Sequence, residues 1–249
     1  MMTDVCLIGY GKMGRIIEEL CPEKECRVVS IIDPAHQQAF PEISRDSLKG
    51  AEVAIDFSHP SVVAKNVEKL IELSMTCVIG TTGWNDARPA LLQKAAAKEM
   101  GLVYGANFSL GLSLFSRIMT SAVQIMDKFD EYDLLAWEKH HNRKADSPSG
   151  TAIDLARLIL AHSTRKSEVV WDKLDRRPQP QELHFASMRG GHIPGTHALC
   201  FDSEADSIEL IHTVRSRSTF AFGAIAAAKW ISGKTGIFSF DEVIGDFLC

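Results

Sequence analysis

The chain has 249 residues, 45% of them hydrophobic and 24% charged, with a formal net charge of −5, the balance of an ordinary soluble globular protein of one large or two small domains. The acidic excess, with Lys and Arg dispersed, gives no electrostatic case for nucleic acid or an anionic membrane as partner. No run approaches the roughly 18 apolar residues of a membrane span, and no basic region precedes the short apolar run at the N-terminus. The six cysteines, Cys6, Cys21, Cys26, Cys77, Cys200 and Cys249, show neither C-x-x-C spacing nor a secreted-scaffold density. A cytoplasmic protein with reduced thiols and no metal centre is therefore expected.

Val5 to Ile8 forms a short apolar strand, followed by Gly9-Tyr10-Gly11-Lys12-Met13-Gly14 and an amphipathic run through Ile16, Ile17 and Leu20. Strand, glycine turn and helix in that order fit G-x-G-x-x-G, whose glycines allow the tight turn, the approach of a pyrophosphate and close helix packing. A second strand, Arg27 to Ile32, ends in Asp33, close to the spacing of about 20 residues expected for a ribose-binding carboxylate. Strand-like and helix-like segments then alternate: Val53 to Phe57, Val62 to Leu73, Thr76 to Gly80, Ala87 to Met100, and Leu102 to Tyr104. Such alternation predicts a Rossmann-type α/β fold with a doubly wound parallel sheet. Strand-end loops in that architecture face the ligand, which places Phe57-Ser58-His59-Pro60, Gly80-Thr81-Thr82-Gly83-Trp84 and Ala106-Asn107-Phe108-Ser109 around one cleft.

After a helix-like segment from Leu112 to Met126 the pattern changes to strands at Leu134 to Trp137, Glu182 to Met188, Thr196 to Phe201 and Ile208 to Val214. The last two are joined by the turn Ser203 to Ser207, a hairpin signal. The charged, proline-containing Asp175 to Pro180 is a loop. These segments predict an α+β second domain with an open mixed sheet, inserted before a final helix, Phe220 to Ile231, that returns to the first domain and stops at Gly233. The expected domains are 1–109 with 217–249, for dinucleotide binding, and 110–216, for substrate binding and oligomerisation.

Chemistry concentrates between Glu138 and Ala152, where His140, His141, Lys144, Asp146, Ser149, Gly150 and Thr151 occupy a strand-to-helix loop. Thr151, with Asp154 three residues on, is the expected helix cap. Ser149-Gly150 lets the backbone turn and offer N–H groups to an anion, with Lys144 and the helix dipole adding positive potential. Adjacent side chains on an extended segment point to opposite faces, so one of His140 and His141 reaches a reacting centre directly. Lys144 is either a solvated loop lysine or a carboxylate contact and proton donor. Glu138 either orients a histidine or is a strand-edge charge. Of the nine histidines, His59, His162, His184 and His212 need only structural or surface roles.

The segment His140-His141-x-x-Lys144-x-Asp146-x-Pro148-Ser149-Gly150-Thr151-Ala152 resembles that of the dihydrodipicolinate reductase, or 4-hydroxy-tetrahydrodipicolinate reductase, family of the diaminopimelate route to lysine. Supporting segments are Ile55-Asp56-Phe57-Ser58, Gly80-Thr81-Thr82-Gly83, Asn107-Phe108-Ser109, Arg189-x-Gly191-x-Ile193-x-Gly195-x-His197 and Arg217-x-x-Phe220, so the resemblance spans nearly the whole chain. It implies that His140 is the general acid, Lys144 a proton donor and substrate contact, and His141, Ser149, Gly150 and Thr151 the carboxylate-binding set. It further implies that Gly9 to Gly14, Asp33, Phe57, Ser58, Gly80, Thr81, Thr82, Asn107, Phe108, Arg217 and Phe220 bind the cofactor, and that the protein is a homotetramer built through the second domain. The implied reaction transfers hydride from a nicotinamide to a cyclic conjugated imine carrying two carboxylates.

Two departures from the family pattern matter. The glycine loop is one residue shorter, and Pro34-Ala35 follows Asp33 where many relatives carry a basic residue for a 2′-phosphate. A carboxylate accepts hydrogen bonds from a ribose diol and repels a phosphate, so NADH is the favoured cofactor, with NADPH possible through Lys12. Two other classes would keep the first half of the chain: a small Rossmann reductase of the L-aspartate dehydrogenase kind, and a non-catalytic dinucleotide sensor. The first has no reason to carry the His140 to Ala152 segment, and the second would bind NADH without turnover.

Overall fold

The computed structural model describes residues 2–171 and 173–248, so Cys249 lies outside the described residues. The chain forms two compact units, Met1–Leu110 with Arg217–Cys249, and Gly111–Ser216. In chain order the elements are β1 (Thr3–Ile8), α1 (Lys12–Leu20), β2 (Cys26–Ile32), α2 (Arg45–Leu48), β3 (Val53–Asp56), α3 (Val63–Glu72), β4 (Cys77–Ile79), α4 (Arg88–Ala97) and β5 (Gly101–Tyr104). Then come α5 (Leu110–Met126), β6 (Asp133–His140), α6 (Gly150–His162), β7 (Glu168–Trp171), β8 (Glu182–Arg189), β9 (Thr196–Asp202) and β10 (Ser207–Thr213). The chain ends with α7 (Ser218–Ile231), β11 (Gly236–Ser239) and α8 (Phe240–Asp246).

The first unit holds a six-stranded parallel sheet in the order β11-β5-β4-β3-β1-β2. Its central strands β3 and β4 are buried at every position, as their unbroken apolar runs require when both faces are covered. Strand order reverses between β1 and β3, the switch point at which open α/β sheets bind ligands. The sheet edge that the glycine loop occupies thus follows from connectivity alone. α7 packs on β3, β4 and β5 of this sheet, as its sequence predicts. β11 and α8 extend the unit beyond the elements read from the sequence.

The second unit holds a five-stranded mixed sheet in the order β10-β9-β6-β8-β7. The predicted hairpin is β9 and β10, paired antiparallel from Thr196↔Thr213 to Asp202↔Ser207. α5 presents Phe115, Met119, Val123 and Met126, and α6 presents Ala152, Leu155, Ala156 and Ile159, both at helical spacing. These side chains share a core with Leu134, Ala136, Leu183, Phe185, Leu199 and Phe201 of the sheet. The opposite sheet face leaves Leu135, Met188 and Ile211 at 37%, 44% and 51% exposure. β6 runs three residues further than Trp137, where the sequence places its end, so His140 is the last residue of a strand rather than part of a loop. β7, too short and amphipathic for its pattern to stand out, pairs in parallel with β8.

Among the described residues no helix is long and apolar enough to cross a membrane. Cys6, Cys21, Cys26, Cys77 and Cys200 are buried free thiols, and burial pushes the Cys6 thiol up to about 12.

One close approach in the first unit is checkable by substitution. A Cβ added at Gly223 of α7 would stand 2.0 Å from the Phe108 carbonyl oxygen and 2.8 Å from the Phe240 ring. Backbone cannot yield as a flexible side chain does, so Gly223→Ala is expected to destabilise the protein by about 3 kcal/mol, the upper end for overpacking. Urea denaturation with an unchanged midpoint would contradict this packing.

Candidate active site

Register assembles the site of the second unit before any loop contributes. On β6 the residues Leu134, Ala136, Glu138 and His140 share the helix-covered face by their period of two. Glu138 stands opposite Ser187 on β8 and His197 on β9, and His140 stands opposite Arg189. Glu138 is fully buried. Its Oε1 accepts from the Ser149 N–H at 2.9 Å, the Ser187 hydroxyl at 2.9 Å and Arg189 Nη2 at 2.7 Å. Its Oε2 accepts from the Ser149 hydroxyl and lies 3.2 Å from His140 Nδ1 and 3.4 Å from His197 Nε2. Burial alone would raise this carboxyl, but His197, Ser149 and Arg189 overturn that and hold it well below the ordinary range.

His140 is 7% exposed. Burial, with positive potential from Lys144 and Arg189 and the neighbouring His197, outweighs the attraction of Glu138 and pulls the imidazole down to about 4. It is therefore neutral near pH 7. The rings of His140 and His197 meet edge to face at 5.2 Å. A Cβ at Gly195 would stand 3.1 Å from His140 Nε2, so the missing side chain there leaves that nitrogen its space.

The loop between His140 and α6 is fastened from the sheet. Arg189 Nη2 donates to the Asp146 carbonyl at 2.6 Å, and Asn142 N–H donates to the Gly191 carbonyl at 3.3 Å. Lys144 Nζ sits 2.9 Å from Asp146 Oδ1, which lowers the Asp146 carboxyl. His141 is half-buried. The helix cap is Ser149, whose hydroxyl accepts from the Ala152 N–H at 3.1 Å, and not Thr151 as the sequence predicts. Thr151 is already inside the helix, one residue past the turn. The Ser149 N–H and hydroxyl both serve Glu138, so Ser149 offers neither to an incoming anion. Gly150, exposed, and Thr151, half-buried, open α6 with the first-turn amides directed out of its N-terminus.

In the first unit a cleft of about 730 Å³ is lined by Gly9 and Gly11 after β1, Asp33 and Pro34 after β2, and Phe57, Ser58 and His59 after β3. Gly9 has φ +87°, and a Cβ there would meet Phe57 and Ser58 backbone at 2.6 Å. A Cβ at Gly14 would stand 2.4 Å from the Gly9 carbonyl oxygen, whereas one at Gly11 would meet nothing within 4 Å. Gly11 thus faces open space, and α1 begins behind it with no side-chain cap and no acid in its first turn. These features fit a dinucleotide pyrophosphate on the α1 amides. Asp33 is oriented by two backbone donors, Tyr10 N–H on Oδ2 at 2.7 Å and Ala35 N–H on Oδ1 at 2.8 Å. Arg15 lies over the Tyr10 ring, 5.2 Å from its centre, and Lys12 is exposed while Met13 is half-buried.

The other expected cofactor residues do not line this cleft. Thr81 is buried and donates to Asp56 Oδ1 at 2.6 Å, next to half-buried Gly80 and exposed Thr82. Phe108 is 2% exposed between Phe57 and Phe240, which makes its ring part of the core. Asn107 Oδ1 accepts from the Ser109 N–H at 2.8 Å, while Arg217 and Phe220 open α7.

Three participants escaped sequence reasoning or were left open by it. Glu138 is the hub of the second unit rather than a strand-edge charge, and its spacing of two from His140 was the available signal. His197 joins that hub through cross-strand register. Asp56, fully buried, collects the Ser58 N–H and hydroxyl, Thr81 and Asn66. Glu138, His140 and His197 are of metal-ligating type and mutually close. The donor set does not suit a cation, because Arg189 already neutralises Glu138 and the Ser149 hydroxyl occupies the oxygen between the histidines.

Comparison with known proteins places this geometry. "Dihydrodipicolinate reductase, N-terminus" matches residues 3–108, and "Dihydrodipicolinate reductase, C-terminus" matches residues 111–244. The 4-hydroxy-tetrahydrodipicolinate reductase of Christiangramia forsetii is 34% identical over 245 residues, covering 98% of each chain. That of Rickettsia bellii is 35% identical over 242 residues, covering 96% of this chain and 93% of its own. A dipicolinate-bound dihydrodipicolinate reductase from Paenisporosarcina sp. TG-14 shares the fold at TM-score 0.76 and 19% identity, over 97% of this chain and 99% of its own. With both halves matched and relatives similar along nearly the full length, the chain belongs to the dihydrodipicolinate reductase family and is an oxidoreductase of the NAD(P)H-dependent kind.

Proposed function

We propose that this chain reduces 4-hydroxy-tetrahydrodipicolinate, through dihydrodipicolinate, to tetrahydrodipicolinate in the diaminopimelate route to lysine. The observation that carries this reading is a buried, neutral His140 joined through Glu138 and Ser149 to an anion-accepting helix end. When bound, the cofactor supplies the hydride. Lys144, His141 and the amides of Gly150 and Thr151 hold the substrate carboxylates, and Ser149 orients those amides as their cap. His140 is the general acid that protonates the enamine left when hydride arrives, with Lys144 as a second proton donor; such catalysis contributes on the order of 10²–10⁴ in rate. The Gly9 to Gly14 loop, Asp33, Phe57 and Ser58 hold the dinucleotide, with Gly80, Thr82, Asn107, Arg217 and Phe220 completing its contacts. Thr81 and Phe108 act by fixing those loops from the core.

The direct test is NADH oxidation with the product of dihydrodipicolinate synthase, against oxaloacetate plus ammonia and against no substrate. Turnover with the first alone is expected. In the same assay His140→Gln should lower kcat by about 10²-fold or more with NADH binding unaltered. An anionic substrate beside His140 favours the imidazolium, so the limb of the pH profile set by this residue should lie at higher pH for kcat than for kcat/KM. Equal limbs, or an unchanged kcat in His140→Gln, would remove the acid assignment.

Cofactor choice rests on Asp33. Its oriented carboxylate accepts from a ribose diol and repels a phosphate, and Pro34 supplies no cation, so NADH is the favoured cofactor. NADPH remains usable where Lys12 or Arg15 reaches the phosphate. The ratio of kcat/KM for NADH over NADPH should exceed one, and Asp33→Ala should shrink it roughly tenfold or more, the worth of a charge-assisted hydrogen bond. A wild type preferring NADPH, or a ratio untouched by the substitution, would show that Asp33 does not select.

We also propose a cytoplasmic homotetramer in which the open sheet face of the second unit, with Leu135, Met188 and Ile211, is covered by another copy. Light scattering on Leu135→Glu should show a smaller assembly than the wild type. A wild-type monomer would end this proposal.

A further inference from the structure

Glu138 is not in hydrogen-bond line with His140. The two atoms stand 3.2 Å apart, yet the buried Nδ1 of His140 has no aligned partner among the described residues, and neither has that of His197. The carboxylate is already served in line by Ser149, Ser187 and Arg189, so it does not depend on His140. The histidine needs the carboxylate. An imidazole whose Nδ1 faces an anion carries its proton there, which leaves Nε2 to face the other way. That other side is where Gly195 supplies no side chain. The same carboxylate holds Ser149 by both N–H and hydroxyl, and Ser149 caps α6.

We infer that Glu138 is a positioning residue that acts in two directions at once, setting the neutral His140 tautomer with Nδ1 protonated and Nε2 facing substrate, free to take up from water, as the anionic substrate binds, the proton it then delivers, and fixing the α6 N-terminus through Ser149. One buried carboxylate thereby keeps the proton donor and the anion-holding amides in mutual register. This rests on the reading of His140 as the general acid, but its first test does not. In ¹⁵N-resolved NMR of the substrate-free protein above pH 7, His140 is expected as the Nδ1–H tautomer; an Nε2–H tautomer overturns the inference whatever the enzyme turns over.

Glu138→Gln replaces the anion with an amide of similar shape. It should cost on the order of 10²-fold in kcat, move the His140 limb of the pH profile to lower pH, and shift the tautomer towards Nε2–H. Glu138→Asp keeps the charge and should hold the limb near its wild-type position while losing rate through a displaced α6. Lys166→Met serves as the control for destabilisation alone, since Lys166 is buried elsewhere in this unit against Asp133, Pro180 and Glu182. It should lower the melting temperature with the pH profile unmoved. If Glu138→Gln loses stability with an unshifted limb, as the control does, Glu138 is only a structural residue. Should Glu138→Gln fail to fold, the wild-type tautomer and the Glu138→Asp profile still decide.

Discussion

A carboxylate taken wholly out of water is tolerated only where donors replace its hydration, and removing one partner of a buried charge pair costs about 3–5 kcal/mol. Glu138 is such a group. Its donors come from β8 and from the turn into α6, and the histidines of β6 and β9 stand 3.2 and 3.4 Å from it. Meeting its needs therefore fixes the register of three strands and the start of a helix together. A slip of one residue on β6 would turn Glu138 to the open face and lose every one of these contacts. The requirement that makes the site chemically capable thus also specifies the sheet.

The first unit uses the same device at a different place. Asp56 ends β3 fully buried, and its Oδ1 takes the Ser58 N–H at 3.0 Å, the Ser58 hydroxyl at 2.7 Å and Thr81 at 2.6 Å. Asn66 of α3 donates to Oδ2 at 2.9 Å. Two strand-end loops are thereby tied to one carboxylate, as a strand-end loop and a helix are tied to Glu138. Loops that carry function are ordinarily the mobile part of a fold, and each unit offsets this with a buried acid at or near the end of a strand. Phe57 adds packing to the same end, its ring pressed against the Cα of Gly80, where any Cβ would clash at 2.2 Å.

How far the sequence discloses this depends on the range of the interaction concerned. The glycine turn, the strand ending in Asp33 and the alternation of the first half are local patterns, and the parallel sheet follows from them. The chemistry between His140 and Thr151 is legible because it lies within one loop. The cap was misassigned to Thr151 because a capping box read from spacing cannot show that Ser149 is already bound to Glu138. Glu138 itself stayed open between two roles, since its partners at Ser187, Arg189 and His197 lie about fifty to sixty residues away and only strand register unites them. Phe108 shows another limit of local pattern: an aromatic in a strand-end loop suggests a cofactor contact, and nothing local shows that its ring closes the core beneath.

Neutral His140 is a consequence of this arrangement and not a defect of it. Burial decides in favour of the uncharged ring against the attraction of Glu138, with His197, Lys144 and Arg189 adding to the same side. A ligand carboxylate brought beside the ring adds a second anion to Glu138 and favours the imidazolium. That attraction moves the group up from about 4 towards physiological pH. A dicarboxylate therefore recruits its own proton, whereas a neutral ligand in the same place leaves the acid uncharged. Selection for an anionic substrate and the readiness of the acid are, on this account, one electrostatic balance whose fixed member is Glu138.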